Sequence, residues 1–164
     1  MGYYDVAQIC PNGHVTNAWA RDSPEHNQNY CDRCGEKTIV ACPSCNAPIQ
    51  GHYHSDVIII GGGPRYSPPA YCQKCGGPFP WTRAALEAAA ELADTLDDLS
   101  KEEQADLQRA IPDLVRDTAK TPVAETRFKR LMMKVSKDSY EGMKTILINV
   151  VTEAVRRRVF GPQG

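Results

Sequence analysis

The spacing of hydrophobic residues divides the chain into two halves that predict different kinds of structure. From residue 81 onward, apolar residues recur every three or four positions, as they do along one face of an amphipathic helix. Before residue 81, glycine and proline interrupt any such period, which is typical of turn-rich structure. The pattern predicts a small β region over residues 1–80 and an all-α region over residues 81–164, arranged as a four-helix antiparallel bundle or as helical hairpins.

Two helices are predicted in the first part of the α region. The first covers residues 82–97, with Thr82 as its N-cap. Ser100, followed three residues later by a glutamate, forms a capping box for the second helix, which runs to about residue 119. Pro112 lies within this segment and is expected to bend or split the helix, because proline lacks the backbone N–H group that a helix interior needs.

Two further helices are predicted, one starting near Pro122 and one covering about residues 139–159. The last helix carries a broad apolar surface whose expected use is the core of the bundle. Its residues are Met143, Ile146, Leu147, Val150, Val151, Ala154 and Val155. If the bundle is incomplete, this surface predicts a homodimer or partner interface.

Candidate chemistry is concentrated in the cysteines, all of which precede residue 76. Together with one histidine they form four short clusters: Cys10-x3-His14, Cys31-x2-Cys34, Cys42-x2-Cys45 and Cys72-x2-Cys75. Seven thiols and one imidazole supply eight ligands, the number that two closed tetrahedral zinc sites require. The pattern therefore predicts two structural Zn²⁺ ions with these eight residues as the metal ligands.

Turn residues at the four clusters agree with this prediction. Gly35, Asn46 and Gly76 directly follow the three C-x2-C pairs, and Gly13 precedes His14. These residue types tolerate the left-handed backbone that a tight turn around a metal requires.

An internal repeat indicates how the ligands are grouped. Cys10-Pro11 and Cys42-Pro43 each begin a unit that ends in Tyr-Cys-x-x-Cys-Gly. The repeat favours one ion bound by Cys10, His14, Cys31 and Cys34 and the other bound by Cys42, Cys45, Cys72 and Cys75. A cross-braced grouping is the main alternative.

Other uses of the cysteines fit the pattern less well. A redox C-x-x-C motif is expected once, at the start of a helix, whereas three such pairs occur here in turn-rich segments. Iron suits the four thiolates of the second set as well as zinc does, but the histidine in the first set argues against a pair of iron sites. A disulfide protein would need a secretion signal, and none is visible, so a cytoplasmic protein is expected.

At this point residues 7–80 resemble the double zinc ribbon, in which two ribbon modules follow each other across a short linker, here residues 36–41. The whole chain also resembles uncharacterised bacterial proteins that have paired N-terminal zinc ribbons and a helical C-terminal region. The resemblance implies a bacterial origin and metal binding. Double ribbons serve as protein-interaction modules, nucleic-acid binders and regulatory attachments, so the resemblance implies no single activity.

Charge separates the two halves of the helical region. Residues 81–120 carry a net charge of −5 and residues 121–164 carry +5. The simpler interpretation is that acidic and basic helices pack side by side. The alternative is a patch for an acidic partner or for nucleic acid. Its residues are Arg127, Lys129, Arg130, Lys134 and Lys137.

The β region offers less charge for a nucleic acid. Residues 1–80 have a net charge of −1, which becomes −4 when seven thiolates and two Zn²⁺ are counted, so these residues are poor candidates for binding a phosphate backbone. Five aromatic residues within or directly after this region could stack on bases, but they are expected to pack against the metal turns instead. These residues are Tyr30, Tyr53, Tyr66, Tyr71 and Trp81.

Three smaller features favour structural roles. His52 and His54 flank Tyr53 on what reads as a surface strand, and the ligand count is complete without them. Residues 57–60 read as a further strand, and residues 61–64, Gly-Gly-Gly-Pro, read as a hairpin tip rather than a phosphate loop.

The functional expectation is a cytoplasmic, non-catalytic zinc-binding adaptor or regulatory protein that mediates protein–protein interaction. Catalysis is not expected, because both metal sites are saturated by protein ligands and every cysteine is used. The alternative is a nucleic-acid-binding protein that uses the basic helices of residues 122–137, with the ribbons as a clamp. No apolar run is long enough for a membrane span.

Overall fold

Residues 2–55 and 65–162 are described by a computed structural model, in which the chain separates into two units, Met1–Thr82 and Arg83–Gly164. We call them the N-terminal and C-terminal units. The strand predicted over residues 57–60 and the hairpin tip predicted over residues 61–64 lie outside the described residues.

In its described residues, the N-terminal unit contains two antiparallel sheets of two strands each. The strands are β1 (Tyr3–Val6), β2 (Gln8–Ile9), β3 (Val15–Asn17) and β4 (Gln50–His54), and a short 3₁₀ turn covers Pro24–His26. β1 pairs with β4, and β2 pairs with β3. In the first sheet Tyr3 lies opposite His54 and Tyr4 lies opposite Tyr53. The sheets are short, and most of the unit consists of turns.

Asp5 and Gly51 allow neighbouring segments of the chain to pack closely against β1. The buried carboxylate of Asp5 accepts hydrogen bonds from the backbone N–H groups of Val6, Arg21 and Asp22. Gly51 lies so close to neighbouring backbone that a Cβ there would come within 2.6 Å of a carbonyl oxygen. Because real Cβ atoms do not approach that closely, only glycine fits at this position of β4.

The core of the N-terminal unit is small. Apart from four cysteines, its buried apolar side chains among the described residues are Ala7, Ile9, Ala20, Ile49, Phe79 and Trp81. Phe79 and Trp81 stack with their ring centroids 4.6 Å apart, and the Trp81 indole N–H donates to the carbonyl of Pro69. So few large side chains leave much of the folding free energy to be supplied by another source.

Among the described residues, five helices follow the β region, rather than the predicted four. They are α1 (Pro80–Asp94), α2 (Lys101–Val115), α3 (Thr121–Met132), α4 (Lys137–Leu147) and α5 (Glu153–Phe160). The last predicted helix, residues 139–159, is wrong as a single element. The chain leaves helical geometry after α4 and begins a new helix at α5, where the Thr152 hydroxyl accepts from the backbone N–H of Val155.

The break has a physical reason in the residues between α4 and α5. Val150, Val151 and Thr152 are β-branched and have low helix propensity, and threonine favours an N-cap over a helix interior. Val150 and Val151 are nevertheless buried. Their spacing therefore continued the helical pattern in the sequence, although both residues lie in the turn between α4 and α5.

Two signals at the starts of helices had different outcomes. The capping box is confirmed, since Ser100 accepts from the N–H of Glu103 and the Glu103 carboxylate accepts from the N–H of Ser100. The N-cap role of Thr82 is wrong: α1 already begins at Pro80, and the buried Thr82 hydroxyl donates to the carbonyl of Ala70.

The C-terminal unit is held together by an aliphatic core. α2 packs along α3, and α5 also contacts α3, where Phe128 and Phe160 meet edge to face. The guanidinium of Arg158 on α5 forms a bidentate ion pair with the almost buried carboxylate of Glu125 on α3. Of the apolar residues assigned to the last predicted helix, five are buried here: Met143, Leu147, Val150, Val151 and Val155.

Candidate metal centres

The first cluster brings together Cys10, His14, Cys31 and Cys34, one of the two sets that the repeat favours. Their ligand atoms all lie within 4.8 Å of one another. The Sγ atoms of Cys10 and Cys34 are 3.6 Å apart, and Cys31 Sγ lies 3.5 Å from His14 Nδ1. The set is therefore arranged around a common centre, with Nδ1 of the imidazole pointing toward it.

The second cluster brings together Cys42, Cys45, Cys72 and Cys75 in the same way. The Sγ atoms of Cys42 and Cys75 are 3.9 Å apart, and those of Cys45 and Cys72 are 3.7 Å apart. None of the seven cysteines forms a disulfide. The grouping is consecutive along the chain and not cross-braced.

These separations fit a tetrahedral ion. Bonds of about 2.3 Å to sulfur and about 2.0 Å to nitrogen place two ligand sulfurs about 3.8 Å apart and a sulfur and a nitrogen about 3.5 Å apart. The observed sulfur–sulfur distances of 3.6, 3.7 and 3.9 Å lie on either side of that value, and the sulfur–nitrogen distance of 3.5 Å equals it. Each cluster is able to hold one metal ion.

The predicted left-handed turns are confirmed at all four ligand pairs. The backbone φ angles are 82° at Gly13, 75° at Gly35, 59° at Asn46 and 71° at Gly76. The N–H group of each of these residues donates to the carbonyl of the ligand that opens its turn. The local sequence thus directs both ligands of a pair toward the same point.

Three of the turns are near copies of one another, and the first is different. In the C-x2-C pairs, the N–H of the first cysteine donates to the carbonyl five residues later, and a β-bridge follows between Tyr30 and Lys37, Ala41 and Pro48, or Tyr71 and Pro78. At the first pair, the N–H of Cys10 instead donates to the carbonyl of His14. The extra residue between Cys10 and His14 accounts for this different closure.

The thiols in these clusters have unequal affinities for a proton. Burial raises the pKa of the Cys10 thiol to about 11. A hydrogen bond from the Asn12 side chain lowers the pKa of the Cys34 thiol to about 6, and the backbone N–H of Cys75 lowers that of Cys72 to about 7. Each cluster therefore contains at least one thiol whose pKa is lowered, and thiolate is the form that binds metal.

Asn12 is a residue that ligand counting did not single out. It lies inside the first turn, between Cys10 and His14, and acts on Cys34, which comes from the other half of the same cluster. Its only signal in the sequence is its position in a Cys-Pro-Asn-Gly-His turn, where asparagine would be expected for backbone reasons alone.

His52 and His54 lie on β4 and belong to neither cluster. His52 stacks on Trp19 with ring centroids 4.5 Å apart, and His54 stacks on Tyr3 at 5.1 Å. Nδ1 of His54 also lies 4.0 Å from the carboxylate of Asp22. Both histidines thus contribute to an aromatic surface of the first sheet.

The five basic residues predicted to bind a partner lie on α3 and up to the start of α4. Lys134 forms an ion pair with Glu103. Among the described residues, no ion pair is formed by Arg127, Lys129, Arg130 or Lys137.

No helix in the described part of the chain is both long and apolar enough to cross a membrane. A model of a bacterial family, described as "Uncharacterized protein conserved in bacteria (DUF2321)", matches residues 3–159. The match covers the metal clusters and all but the last residue of the five helices. Neither a curated protein nor a solved structure matches the chain. The resemblance to uncharacterised bacterial proteins is confirmed, and the double zinc ribbon stays a prediction.

Proposed function

We propose that this chain, which belongs to the DUF2321 family of uncharacterised bacterial proteins, is a non-catalytic zinc-binding adaptor that docks another protein on its C-terminal unit. Two features support the proposal. The metal clusters are closed, and an exposed groove on α3 combines apolar and cationic side chains.

Zinc is the metal that suits both clusters. It prefers tetrahedral sites of thiolate and imidazole, and sites with four protein ligands have a structural role because no position is left for water or substrate. The first cluster offers three thiolates and one imidazole, and the second offers four thiolates. A structural role agrees with the small core of the N-terminal unit, since the binding of zinc supplies free energy of folding.

The observation that carries the adaptor function is the groove on α3. It has a volume of about 480 Å³ and is lined by Pro122, Val123, Thr126, Arg127 and Arg130. The side chain of Val123 is 59% exposed. Among the described residues, neither arginine forms an ion pair, although Arg130 acts at longer range on Glu103, the carboxylate that Lys134 pairs with.

This combination defines the chemistry of the partner. An exposed valine favours an apolar contact. Two guanidinium groups that form no ion pair within the described residues favour carboxylates, which arginine binds through two parallel hydrogen bonds. The groove therefore suits an acidic amphipathic segment of another protein. The charges would speed association with the partner, and the apolar contact would slow dissociation of the complex.

The test is affinity capture of the tagged protein from its bacterial host, with and without nuclease. We expect a stoichiometric protein that survives nuclease, is lost from a variant carrying Arg127→Gln and Arg130→Gln, and is retained by Arg83→Gln, a basic residue outside the groove. Retention by the double variant would contradict docking at this groove.

Nucleic-acid binding by residues 122–137 is the second candidate function, because four of the five basic residues there form no ion pair within the part of the chain that the structure describes. It predicts that captured partners disappear after nuclease treatment. It also predicts binding to nucleic acid that weakens steeply with salt, with a smaller slope in the Arg127→Gln, Arg130→Gln variant. Indifference to salt and to these substitutions would remove it.

A further inference from the structure

A pair of exposed tyrosines lies on one face of the first sheet. Tyr4 on β1 and Tyr53 on β4 are direct cross-strand neighbours, with ring centroids 4.9 Å apart. Tyr4 is 55% exposed and Tyr53 is 46% exposed. Because side chains alternate along a strand, the stack of Tyr3 and His54 occupies the opposite face. This pair is the centre of what we call the tyrosine surface: Tyr4, Tyr53, Arg21, Arg65 and Lys74.

Two adjoining grooves run along this pair. The first has a volume of about 700 Å³, and its lining includes Tyr4, Arg21 and Lys74. The second, of about 340 Å³, is lined in part by Tyr4, Tyr53 and Arg65. Tyr4 and Gln50 line both grooves, so the two grooves adjoin each other at Tyr4, and Tyr53 lines the second.

The cations of the N-terminal unit are concentrated here. Residues 1–80 contain five Lys and Arg residues, and three of them, Arg21, Arg65 and Lys74, line these grooves. Across residues 2–55 and 65–162, none of the three forms an ion pair with a carboxylate. The one carboxylate in the lining, Asp5, is 2% exposed and already accepts three backbone N–H groups. The accessible charge of the grooves is therefore positive, although the unit as a whole is negative.

Neutralising the thiolates of the second metal cluster would explain part of this arrangement but not all of it. Cys45 reaches the first groove, and Lys74 is the chain neighbour of Cys75, so these charges offset one another locally. Arg65 lines the second groove, whose lining includes no cysteine. Charge compensation also gives no reason for two exposed aromatic rings between the cations.

We propose that the tyrosine surface binds single-stranded nucleic acid. Bases stack on Tyr4 and Tyr53, and Arg21, Arg65 and Lys74 contact the phosphates on either side. Alternating aromatic rings and cations along a groove is the arrangement by which proteins hold unpaired strands without reading their sequence. A duplex does not fit this mode, because its bases are stacked on each other and present no free face. An acidic peptide would use the cations but not the rings.

The test is fluorescence anisotropy with the full-length, zinc-loaded protein and a labelled single-stranded oligouridylate of about 12 nucleotides, a length within the range one small domain covers. We expect binding that weakens with salt. An unlabelled duplex, supplied as a hairpin at about tenfold excess, should compete poorly with the labelled strand. A hairpin of matched length and a polyglutamate peptide serve as the two competitors.

Matched variants assign the binding to individual side chains. Tyr53→Leu and Tyr4→Leu should each weaken binding at least about fivefold, whereas Tyr53→Phe and Tyr4→Phe should retain it, because the ring and not the hydroxyl makes the stack. Arg65→Gln should lower the slope of log affinity against log salt by about 0.7, the value for one phosphate on a single strand. Tyr30→Leu and Arg33→Gln, which change exposed residues elsewhere in the unit, should have no effect.

Zinc content and circular dichroism show that each variant is folded. The proposal is overturned if the zinc-loaded protein does not bind the oligonucleotide, or if Tyr30→Leu weakens binding as much as Tyr53→Leu. Equal competition by the duplex, or by polyglutamate, would replace stacking with simple charge attraction and also overturn it. Loss of binding in the Arg127→Gln, Arg130→Gln variant would move the contact to α3. These outcomes are distinct from failure of the adaptor function, which is tested by captured protein.

Discussion

The two units of the chain are equal in length but bury different side chains. Among the described residues, the N-terminal unit buries ten apolar side chains, and four of these are cysteines, whereas the C-terminal unit buries twenty, none of them a cysteine. Each large buried aliphatic side chain contributes about 1.5–3 kcal/mol to folding. The C-terminal unit can therefore fold on hydrophobic burial, whereas we expect the N-terminal unit to depend on metal bound at its two clusters.

Cys72→Ser should give the largest effect and separates the two units most clearly. Loss of one thiolate opens the second cluster, and structural zinc contributes an apparent binding free energy of about 10–16 kcal/mol in small zinc domains. We expect zinc to fall from two ions to one per chain and the second half of the N-terminal unit to unfold, while helicity is retained. Elemental analysis and circular dichroism measure these quantities.

His54→Ala is the matched control for Cys72→Ser, because it removes a histidine of the same unit that belongs to neither cluster. Its zinc content should equal that of the unmodified protein. Loss of zinc in this variant would mean that the ligand set is wrong, and an unchanged fold after chelation would mean that the N-terminal unit does not depend on metal.

Leu107→Ala tests whether the C-terminal unit depends on hydrophobic burial and not on metal. Leu107 lies on α2 and is completely buried. Removing it leaves a cavity, which typically lowers the free energy of unfolding by about 2–5 kcal/mol. Urea denaturation followed by helical circular dichroism should show this loss with both zinc ions still bound. A parallel loss of zinc would show that the units do not fold independently.

Ser100→Ala should have a smaller effect on the same unit. The Ser100 hydroxyl accepts from the N–H of Glu103 at the start of α2. Removing such a cap typically lowers the free energy of unfolding by about 1 kcal/mol. The loss should appear in thermal unfolding of the helices, and Ser100→Asp, which preserves an acceptor, should restore most of it. Equal stability of the alanine and aspartate variants would contradict the cap.

The smallest predicted effect is a loss of folding stability of the C-terminal unit at acid pH. A hydrogen bond from Lys134, with the backbone N–H of Ser100, lowers the pKa of the Glu103 carboxyl from its ordinary value of 4.5. A depressed pKa in the folded state stabilises the protein above the ordinary value, and this contribution is lost as the pH falls through the folded value. The melting temperature should therefore fall on acidification below 4.5.

Glu103→Gln isolates that contribution. The difference in melting temperature between the unmodified protein and this variant should be largest near neutral pH and should shrink as the pH falls. Taking the difference at each pH cancels the titration of all other groups. A difference that stays constant with pH would contradict the role of the ionised carboxylate.

The metal clusters were the most predictable part of the molecule, because their information is local. Each ligand pair lies within five residues, and the turn residues Gly13, Gly35, Asn46 and Gly76 mark the same positions in sequence and structure. The repeated Tyr-Cys-x-x-Cys-Gly pattern further indicated the consecutive sets that the structure brings together. Short-range constraints of this kind leave few alternative ways to group the ligands.

The tyrosine surface was not predictable, because it depends on a pairing between distant residues. Tyr4 and Tyr53 meet only when β1 pairs with β4, and nothing in either short segment specifies the other. A charge sum over residues 1–80 also concealed the local concentration of cations. The break between α4 and α5 was missed for a related reason, since Val150 and Val151 are buried from a turn at positions that also fit a helix.

The pairing of β1 with β4 also sets an order of events during synthesis on the ribosome. The first cluster is complete once Cys34 has emerged, but β1 stays without its partner until residues 50–54 follow. Those residues leave the ribosome before Cys72 and Cys75. Cys42 and Cys45 therefore lack the other two residues of their cluster while the sheet forms. In this interval a nascent chain would carry one complete set of ligands and one incomplete pair of thiols, and free thiols are open to oxidation until their cluster is complete.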